Sequence, residues 1–266
     1  MSSAVHDSGS IHPGNADPDP FVGYEVPRPA VGGRPWTLAN MVAGLDGSLA
    51  WNGRVGSLSS ATDRALFVRL RGLADAVMVG AGTVRAEGYG PVRLPEATRA
   101  ARVAAGRSEV PPLVVVSRRL DLDWDAPLFA HSTSPRPVVV TAGVAPRAAA
   151  ARAADHAEVV VAGDAEVDLA VAMAALADRG IGVVLTEGGP TLLAGLVAAG
   201  LLDELCLTLH PVFGGDPLTM AQRPRAADVL TEFGLAGVVC LGDELYLRYL
   251  VRRAGSDDEG RDRAGR

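Results

Sequence analysis

The sequence predicts an α/β protein with a mostly parallel central sheet, flanking helices and antiparallel C-terminal strands. Short β-branched segments alternate with Ala/Leu/Arg-rich segments over most of the chain, which is typical of a parallel sheet covered on both faces. Two glycine-bearing turns follow strand candidates, as in open α/β sheets. A Gly-Asp pair separates the last two strand candidates, which indicates a hairpin.

The predicted strands of the parallel part are Val/Leu/Ile-rich runs bounded by turn residues: Trp36–Val42, Ala76–Gly80, Leu113–Ser117, Pro137–Thr141, Glu158–Val161 and Gly182–Thr186. The helices predicted between them are Ser60–Leu73, Pro146–Ala154, Val167–Arg179 and Pro190–Ala199. The first begins in a Ser-Ala-Thr-Asp cluster, which is typical of a helix start. The C-terminal strands are Glu204–Pro211, Leu235–Leu241 and Glu244–Val251.

Composition divides the chain into one folded domain and two polar ends. Residues 1–33 are polar and rich in Pro and Gly, and residues 254–266 are a charged tail, so both are predicted to be disordered. Residues 34–253 are predicted to form a single domain.

All 25 positively charged side chains are arginines, because the sequence contains no lysine. This excludes Schiff-base enzymes, Gly-Lys-Ser/Thr phosphate loops and standard protein kinases. A phosphate must therefore be bound by arginine, by hydroxyl groups or by backbone N–H groups at helix starts. The net charge of −6 argues against nucleic-acid binding.

No targeting, membrane or metal signal stands out in the sequence. There is no apolar N-terminal segment and no uninterrupted apolar run long enough for a membrane span. Cys206 and Cys240 lie in apolar runs without metal spacing, which predicts reduced thiols in a cytoplasmic protein. His156-Ala-Glu158 matches half of a zinc-deaminase motif, but its P-C-x-x-C partner is missing, so no metal is expected.

Two glycine turns are candidates for binding a nucleotide phosphate. Gly80-Ala-Gly82-Thr83 follows the second predicted strand, and Gly188-Gly189-Pro190 follows the sixth. Ligands in open sheets collect beyond the carboxyl ends of strands, and glycine lets a phosphate approach the backbone. Neither turn matches G-x-G-x-x-G, so ordinary tight turns remain the alternative interpretation.

Three other polar segments are candidate binding sites. Ser117-Arg118-Arg119 is either a site for the 2′-phosphate of NADPH or a solvated basic loop. Asp46, which precedes a glycine, either shapes an ordinary turn, or it orients a polar heterocycle or relays a proton. The loop from Arg85 to Arg93 contains arginines that suit a substrate phosphate.

Taken in order, five blocks resemble the reductase domain of the bacterial riboflavin-biosynthesis deaminase–reductase, which has a dihydrofolate-reductase-like fold. They are Leu45-Asp46-Gly47, Leu70 to Val84, Thr186 to Leu192, Leu202-Asp-Glu-Leu and His210-Pro-Val-Phe-Gly-Gly215. The resemblance covers about residues 35–251 and implies a stand-alone reductase without the deaminase half. A lysine of the family's first strand is replaced here by Asn40.

The resemblance implies that NADPH reduces the ribosyl group of 5-amino-6-(5-phosphoribosylamino)uracil by hydride transfer. The cofactor-binding residues it implies are Ala43, Gly80, Gly82, Thr83, Glu87, Ser117, Gly188, Gly189, Pro190, Thr191 and Leu192. The substrate-binding residues it implies are Asn40, Ser59, Arg71, Arg93 and Glu187, with Asp46 as the catalytic residue.

Two alternatives to this function stay open at the level of sequence. One is a reductase of dihydrofolate or of another pterin or pyrimidine, and the other is a non-catalytic NADPH-binding protein. The resemblance also implies a homodimer formed through the C-terminal strands, although the apolar residues of those strands also suit a plain core.

Overall fold

The computed structural model describes residues 19–130, 135–216, 220 and 230–253. Its strands are β1 (Trp36–Ala43), β2 (Ala76–Gly80), β3 (Leu113–Val116), β4 (Val138–Thr141), β5 (Glu158–Val161), β6 (Val183–Thr186), β7 (Glu204–Leu209), β8 (Phe233–Leu241) and β9 (Glu244–Val251). Its helices are α1 (Ala61–Leu73), α2 (Ala81–Glu87), α3 (Glu96–Ala104), α4 (Arg147–His156), α5 (Leu169–Ala177) and α6 (Pro190–Ala198), and short 3₁₀ turns lie between some of these elements.

These strands form one sheet in the order β5-β4-β3-β2-β6-β1-β7-β9-β8. Neighbours from β5 to β7 pair in parallel, and β7, β9 and β8 pair antiparallel. The predicted fold class is confirmed. The β8–β9 hairpin turns at Gly242-Asp243, where Gly242 has a φ of +60° that favours glycine.

The central strands are buried because helices cover both faces of the sheet. The side chains of Ala76, Val77, Met78 and Val79 in β2 have no exposed surface, which explains why this strand is a continuous apolar run rather than an alternating one. Ser60 begins α1 as predicted, since its hydroxyl accepts a hydrogen bond from the Asp63 N–H at 3.0 Å.

The sequence analysis missed α2 and α3. Helix α2 starts directly after the glycine turn and is only 7 residues long, so it gives no helical pattern. Helix α3 carries the buried Arg102, whose guanidinium donates to the Gly72 and Ala74 carbonyls at 2.9 and 2.6 Å. Arg102 thereby satisfies carbonyl groups at the end of α1, which stabilises the packing of α3 beside that helix.

The prediction that residues 1–33 are disordered is wrong for residues 19–33. Phe21 and Tyr24 belong to the main core cluster, and the Phe21 ring meets the Tyr246 ring edge-on at 5.1 Å. Arg28 forms a two-pronged ion pair with Glu204, at 2.8 Å for both bonds. Composition misses this because the segment gains its order from distant parts of the chain. Residues 1–18 and the predicted disordered tail 254–266 lie outside the described residues.

Two negative findings apply to the described part of the chain. No helix there is long and apolar enough to cross a membrane. No cluster of His, Cys, Asp or Glu side chains among residues 19–130, 135–216, 220 and 230–253 suits a metal ion. The thiols of Cys206 and Cys240 are both free.

Candidate active site

The carboxyl ends of β3, β2, β6 and β1 lie side by side at one edge of the sheet. From β2 the chain continues through β3, β4 and β5 towards one side, whereas β7 follows β6 on the other side. Ligands of open α/β sheets bind at such a change of direction. A cavity of about 890 Å³ opens there, which is within the range of small-molecule sites.

The two predicted glycine turns meet beside this cavity. The Gly80 N–H donates to the Gly188 carbonyl at 2.9 Å, and Gly80 and Gly189 precede α2 and α6 without any side-chain cap. A Cβ added at Gly189 would come within 2.5 Å of the Thr83 hydroxyl, so only glycine allows this approach. The peptide between Gly188 and Gly189 is cis. The turns therefore present bare backbone to the cavity, as a phosphate site requires.

Most of the predicted cofactor-binding residues line the cavity: Gly80, Gly82, Thr83, Glu87, Gly189, Pro190, Thr191 and Leu192. Ala43, Gly188 and Ser117 are not part of its lining. Ser117 follows β3, two strands from β6, where its N–H donates to the Val140 carbonyl at 2.9 Å. The cofactor role of all these residues stays a prediction.

Glu87 holds the loop that follows β1 against α2. Its carboxylate accepts a hydrogen bond from the Val55 N–H at 3.1 Å. Leu49, Ala50, Gly53 and Val55 of the same loop line the cavity. The position of this loop therefore depends on a carboxylate of α2.

Arg71, Glu187 and Tyr89 form a polar wall of the cavity. Arg71 donates to both carboxylate oxygens of Glu187, at 2.6 and 2.7 Å, and the Tyr89 hydroxyl donates to Glu187 at 2.7 Å. The Glu187 side chain is buried, and the Arg71 guanidinium stacks over the Phe67 ring at 4.1 Å. The resemblance implied that Arg71 binds the substrate, but in the structure its guanidinium is bound to Glu187.

The protonation of this wall follows from its burial. Desolvation, together with the Glu187 carboxylate, raises the pKa of Tyr89 well above its usual 10.0. Desolvation lowers the pKa of Arg71, but the hydrogen bonds and charge of Glu187 outweigh it and the net direction is upward. At neutral pH Arg71 is therefore charged and Tyr89 keeps its proton.

One face of α1 also lines the cavity and includes Arg71 of the polar wall. Asp63, Phe67 and Arg71 follow each other at a spacing of four residues, which places them on one side of a helix, and all three line the cavity. Ser59, a predicted substrate-binding residue, donates its hydroxyl to Asp63 at 2.5 Å. Sequence analysis missed Asp63 and Phe67, although their spacing from Arg71 was a usable signal.

Two arginines at the cavity have exposed side chains. Arg93, predicted to bind the substrate phosphate, has no ion-pair or hydrogen-bond partner among the described residues. Arg64, which sequence analysis did not single out, donates to the Ser59 carbonyl at 2.5 Å. Their guanidinium groups are accessible cations beside a cavity that has a buried ion pair on another wall.

Asp46, the predicted catalytic residue, lies in the turn after β1 and is absent from the residues that line the cavity. Its carboxylate accepts hydrogen bonds from the Ser48 hydroxyl at 2.6 Å and from the N–H groups of Ser48 and Gly214 at 3.0 and 2.7 Å. The Ser48 hydroxyl and these N–H groups hold the pKa of Asp46 far below its usual range. These contacts favour a role in shaping the loop over proton transfer, and a catalytic role stays a prediction.

Comparison with known proteins agrees with the motifs. The RibD C-terminal domain family matches residues 35–245. A protein of Archaeoglobus fulgidus named 2,5-diamino-6-ribosylamino-4(3H)-pyrimidinone 5′-phosphate reductase is 31% identical over 68% of this chain and 83% of its own length. A protein of the same name from Methanothermobacter thermautotrophicus is 31% identical over 82% of this chain and 99% of its own.

A solved structure supports the same assignment. The pyrimidine reductase-like protein of Corynebacterium diphtheriae superimposes with a TM-score of 0.76 and is 30% identical. The match covers 82% of this chain and 92% of that one. The chain thus belongs to the RibD C-terminal domain family, as its ordered motifs predicted.

Proposed function

We propose that this protein is an NADPH-dependent reductase of riboflavin biosynthesis, which converts the ribosyl group of a ribosylaminopyrimidine 5′-phosphate into a ribityl group. The observation that carries the proposal is that bare glycine turns, arginines and buried polar groups all line the same cavity. The family resemblance implied the uracil compound as substrate. The two curated relatives carry the name of the 2,5-diaminopyrimidinone, which we therefore propose instead.

The glycine turns suit the pyrophosphate of NADPH. A Cβ added at Gly80 would lie 3.8 Å from the Gly189 nitrogen and 3.9 Å from the Gly188 carbonyl oxygen, so a side chain would fill the space between the turns. Helix α6 starts directly after Gly189 without a side-chain cap, which leaves the N–H groups that follow Pro190 available to an anion. Ser117 lies farther along the same edge of the sheet, where it suits the adenosine end of the cofactor.

The arginines at the cavity suit the 5′-phosphate of the substrate. Arg93 is the favoured ligand because it is exposed and has no partner within the described ranges, and Arg64 is a second one. Arg71 is the less favoured ligand, since phosphate binding would compete with its bond to the buried Glu187 carboxylate. We assign Arg71, Glu187 and Tyr89 to the shape of the pocket instead.

When bound, NADPH supplies the hydride that reduces C1 of the ring-opened sugar. The residues of this chain supply positioning: the glycine turns hold one reactant, and the α1 face with Arg93 holds the other. The wall of Arg71, Glu187 and Tyr89 is internally hydrogen-bonded, so it keeps its form when the ligands enter. Preorganised groups of this kind lower the cost of reaching the reactive arrangement.

We also propose that the chain forms a homodimer through its C-terminal strands. Among the described residues, β8 is the last strand of the sheet on that side, and Leu235 on it is exposed. Long exposed edge strands are commonly covered by a partner. Tyr246, in contrast, is part of the protein's own core. Light scattering should report a dimer that Leu235→Arg converts into monomers, and a wild-type monomer would contradict the proposal.

The enzymatic proposal is tested by following NADPH oxidation with three substrates: the diaminopyrimidinone ribosyl phosphate, its uracil analogue and dihydrofolate. We expect rapid oxidation with a ribosylaminopyrimidine phosphate and none with dihydrofolate. Oxidation with dihydrofolate alone would support the pterin alternative. NADPH binding without oxidation by any of the three would support a non-catalytic protein.

A further inference from the structure

Two buried polar side chains that line the cavity each have one acceptor oxygen without a hydrogen-bond partner among the described residues. Asp63 on α1 is 4% exposed, and Asn40 on β1 is 8% exposed. The Oδ1 atom of each has no hydrogen-bond partner among the described residues. Both residues contribute to the lining of the same cavity. Most buried acceptors in native proteins are paired, and a ligand that brings donors into the cavity would satisfy these two.

The orientation of the Asp63 carboxylate is well defined. Its Oδ2 accepts the Ser59 hydroxyl at 2.5 Å, and its backbone N–H is bound by the Ser60 hydroxyl at 3.0 Å. The hydrogen bonds keep the side chain in the first turn of α1 and leave Oδ1 as the unused atom. The Arg64 guanidinium donates to the Ser59 carbonyl and does not neutralise Asp63.

Given the proposed function, on which this inference rests, we infer that Asp63 is the residue that recognises the 2-amino group of the substrate's pyrimidinone ring. The amino group donates a hydrogen bond to Oδ1 of Asp63, and the Asn40 carboxamide offers a second acceptor to the same ring. Asp63 is thus a specificity-determining residue that contacts the substrate and takes no part in hydride transfer.

The chemistry of the two rings explains the discrimination. An ionised carboxylate can only accept hydrogen bonds. The diaminopyrimidinone carries an amino group at C2, which donates, whereas the uracil analogue carries an oxygen there, which also only accepts. Binding the uracil analogue would leave a buried charge unpaired and facing an oxygen, which costs about 100-fold in kcat/KM.

The competing explanation is that Asp63 only stabilises the start of α1 through Ser59 and Ser60. The variant Asp63→Asn distinguishes this explanation from substrate recognition. Its amide oxygen can still accept the hydrogen bond of the Ser59 hydroxyl, while its amide nitrogen offers a donor to the cavity. Asp168→Asn is the matched control: Asp168 begins α5, where it accepts the Ala170 and Val171 N–H groups at 2.9 and 3.1 Å, and it does not line the cavity.

The experiment measures kcat/KM of wild type, Asp63→Asn and Asp168→Asn with the two ribosylaminopyrimidine phosphates. We expect wild type to prefer the 2-amino substrate by about 100-fold, Asp63→Asn to reverse or abolish that preference, and Asp168→Asn to keep it. Thermal unfolding and NADPH affinity of each variant show whether it is folded. Equal kcat/KM of wild type for both substrates would overturn the inference, even if Asp63→Asn failed to fold.

The outcomes distinguish this inference from the proposed function. If wild type oxidises NADPH with neither pyrimidine, the proposed function fails. If wild type reduces both, and Asp63→Asn leaves the ratio of the two kcat/KM values unchanged, the proposed function stands and the role of Asp63 is refuted.

Discussion

Arg28→Ala tests whether the N-terminal segment is an integral part of the domain. The Arg28 side chain is 3% exposed, and its partner Glu204 is fully buried at the start of β7. Removing one partner of a buried ion pair costs about 3–5 kcal/mol because the other charge stays behind. Glu204 would keep Arg248 at 2.7 Å and the Trp36 indole N–H at 3.1 Å, so we expect the lower limit of about 3 kcal/mol.

The assay is urea unfolding at neutral pH, supported by thermal unfolding. A loss of about 3 kcal/mol corresponds to a decrease of about 6–12 °C in Tm for a domain of this size. Arg69→Ala is the matched control in contact with the same segment, since Arg69 pairs with the partly exposed Asp19 and Glu25 and should cost less than about 1 kcal/mol. If Arg28→Ala lost no more than Arg69→Ala, the segment would not be docked as described.

Three further predictions concern the site and its support. Arg93→Ala should raise the KM of the phosphorylated substrate about 10- to 100-fold while changing the KM of NADPH by less than about twofold, and equal losses would contradict its assignment to the phosphate. Gly189→Ala should weaken NADPH binding about tenfold by crowding the Thr83 hydroxyl at 2.5 Å. In a double variant with Thr83→Ala the effects should be less than additive, and strict additivity in calorimetric titration would refute that contact. Burial raises the pKa of Glu204, but the hydrogen bonds and charges of Arg28 and Arg248 outweigh it and keep the pKa below the usual 4.5. The stabilisation by ionised Glu204 is therefore complete above about pH 4.5 and is lost as the pH falls through the lowered pKa. The free energy of unfolding of Glu204→Gln should therefore fall less steeply with acid than that of wild type. Parallel curves of unfolding free energy against pH would contradict this prediction.

The backbone arrangement was largely predictable because its signals are local. Every predicted strand and helix exists in the structure, and each end differs by two residues at most. Apolar runs such as Ala76–Gly80 and the hairpin signal at Gly242 depend on neighbours in the sequence. The short helix α2 was missed because it begins directly in a glycine turn, where local pattern gives no helical period.

The candidate site was predictable as a set of motifs but not as a set of contacts. Most residues implied by the resemblance line one cavity. Arg71, predicted to bind the substrate, pairs instead with Glu187, 116 positions away, and forms part of the cavity wall. Asp46 belongs to a motif of the family, yet its carboxylate accepts a hydrogen bond from the Gly214 N–H, 168 positions away. This contact indicates that the carboxylate holds the loop in place.

The sequence by itself therefore determined the order of strands and helices, the glycine turns and the family, since each follows from short-range periodicity or from an ordered set of motifs. Only the tertiary structure decided which charged groups are paired with each other and which keep an unpaired atom. Arg28 and Glu204 neutralise each other because folding brings β7 against a segment that composition alone left disordered. Asp63 keeps an unpaired oxygen because the fold places it at a cavity wall, where burial removes water and no neighbour among the described residues replaces it.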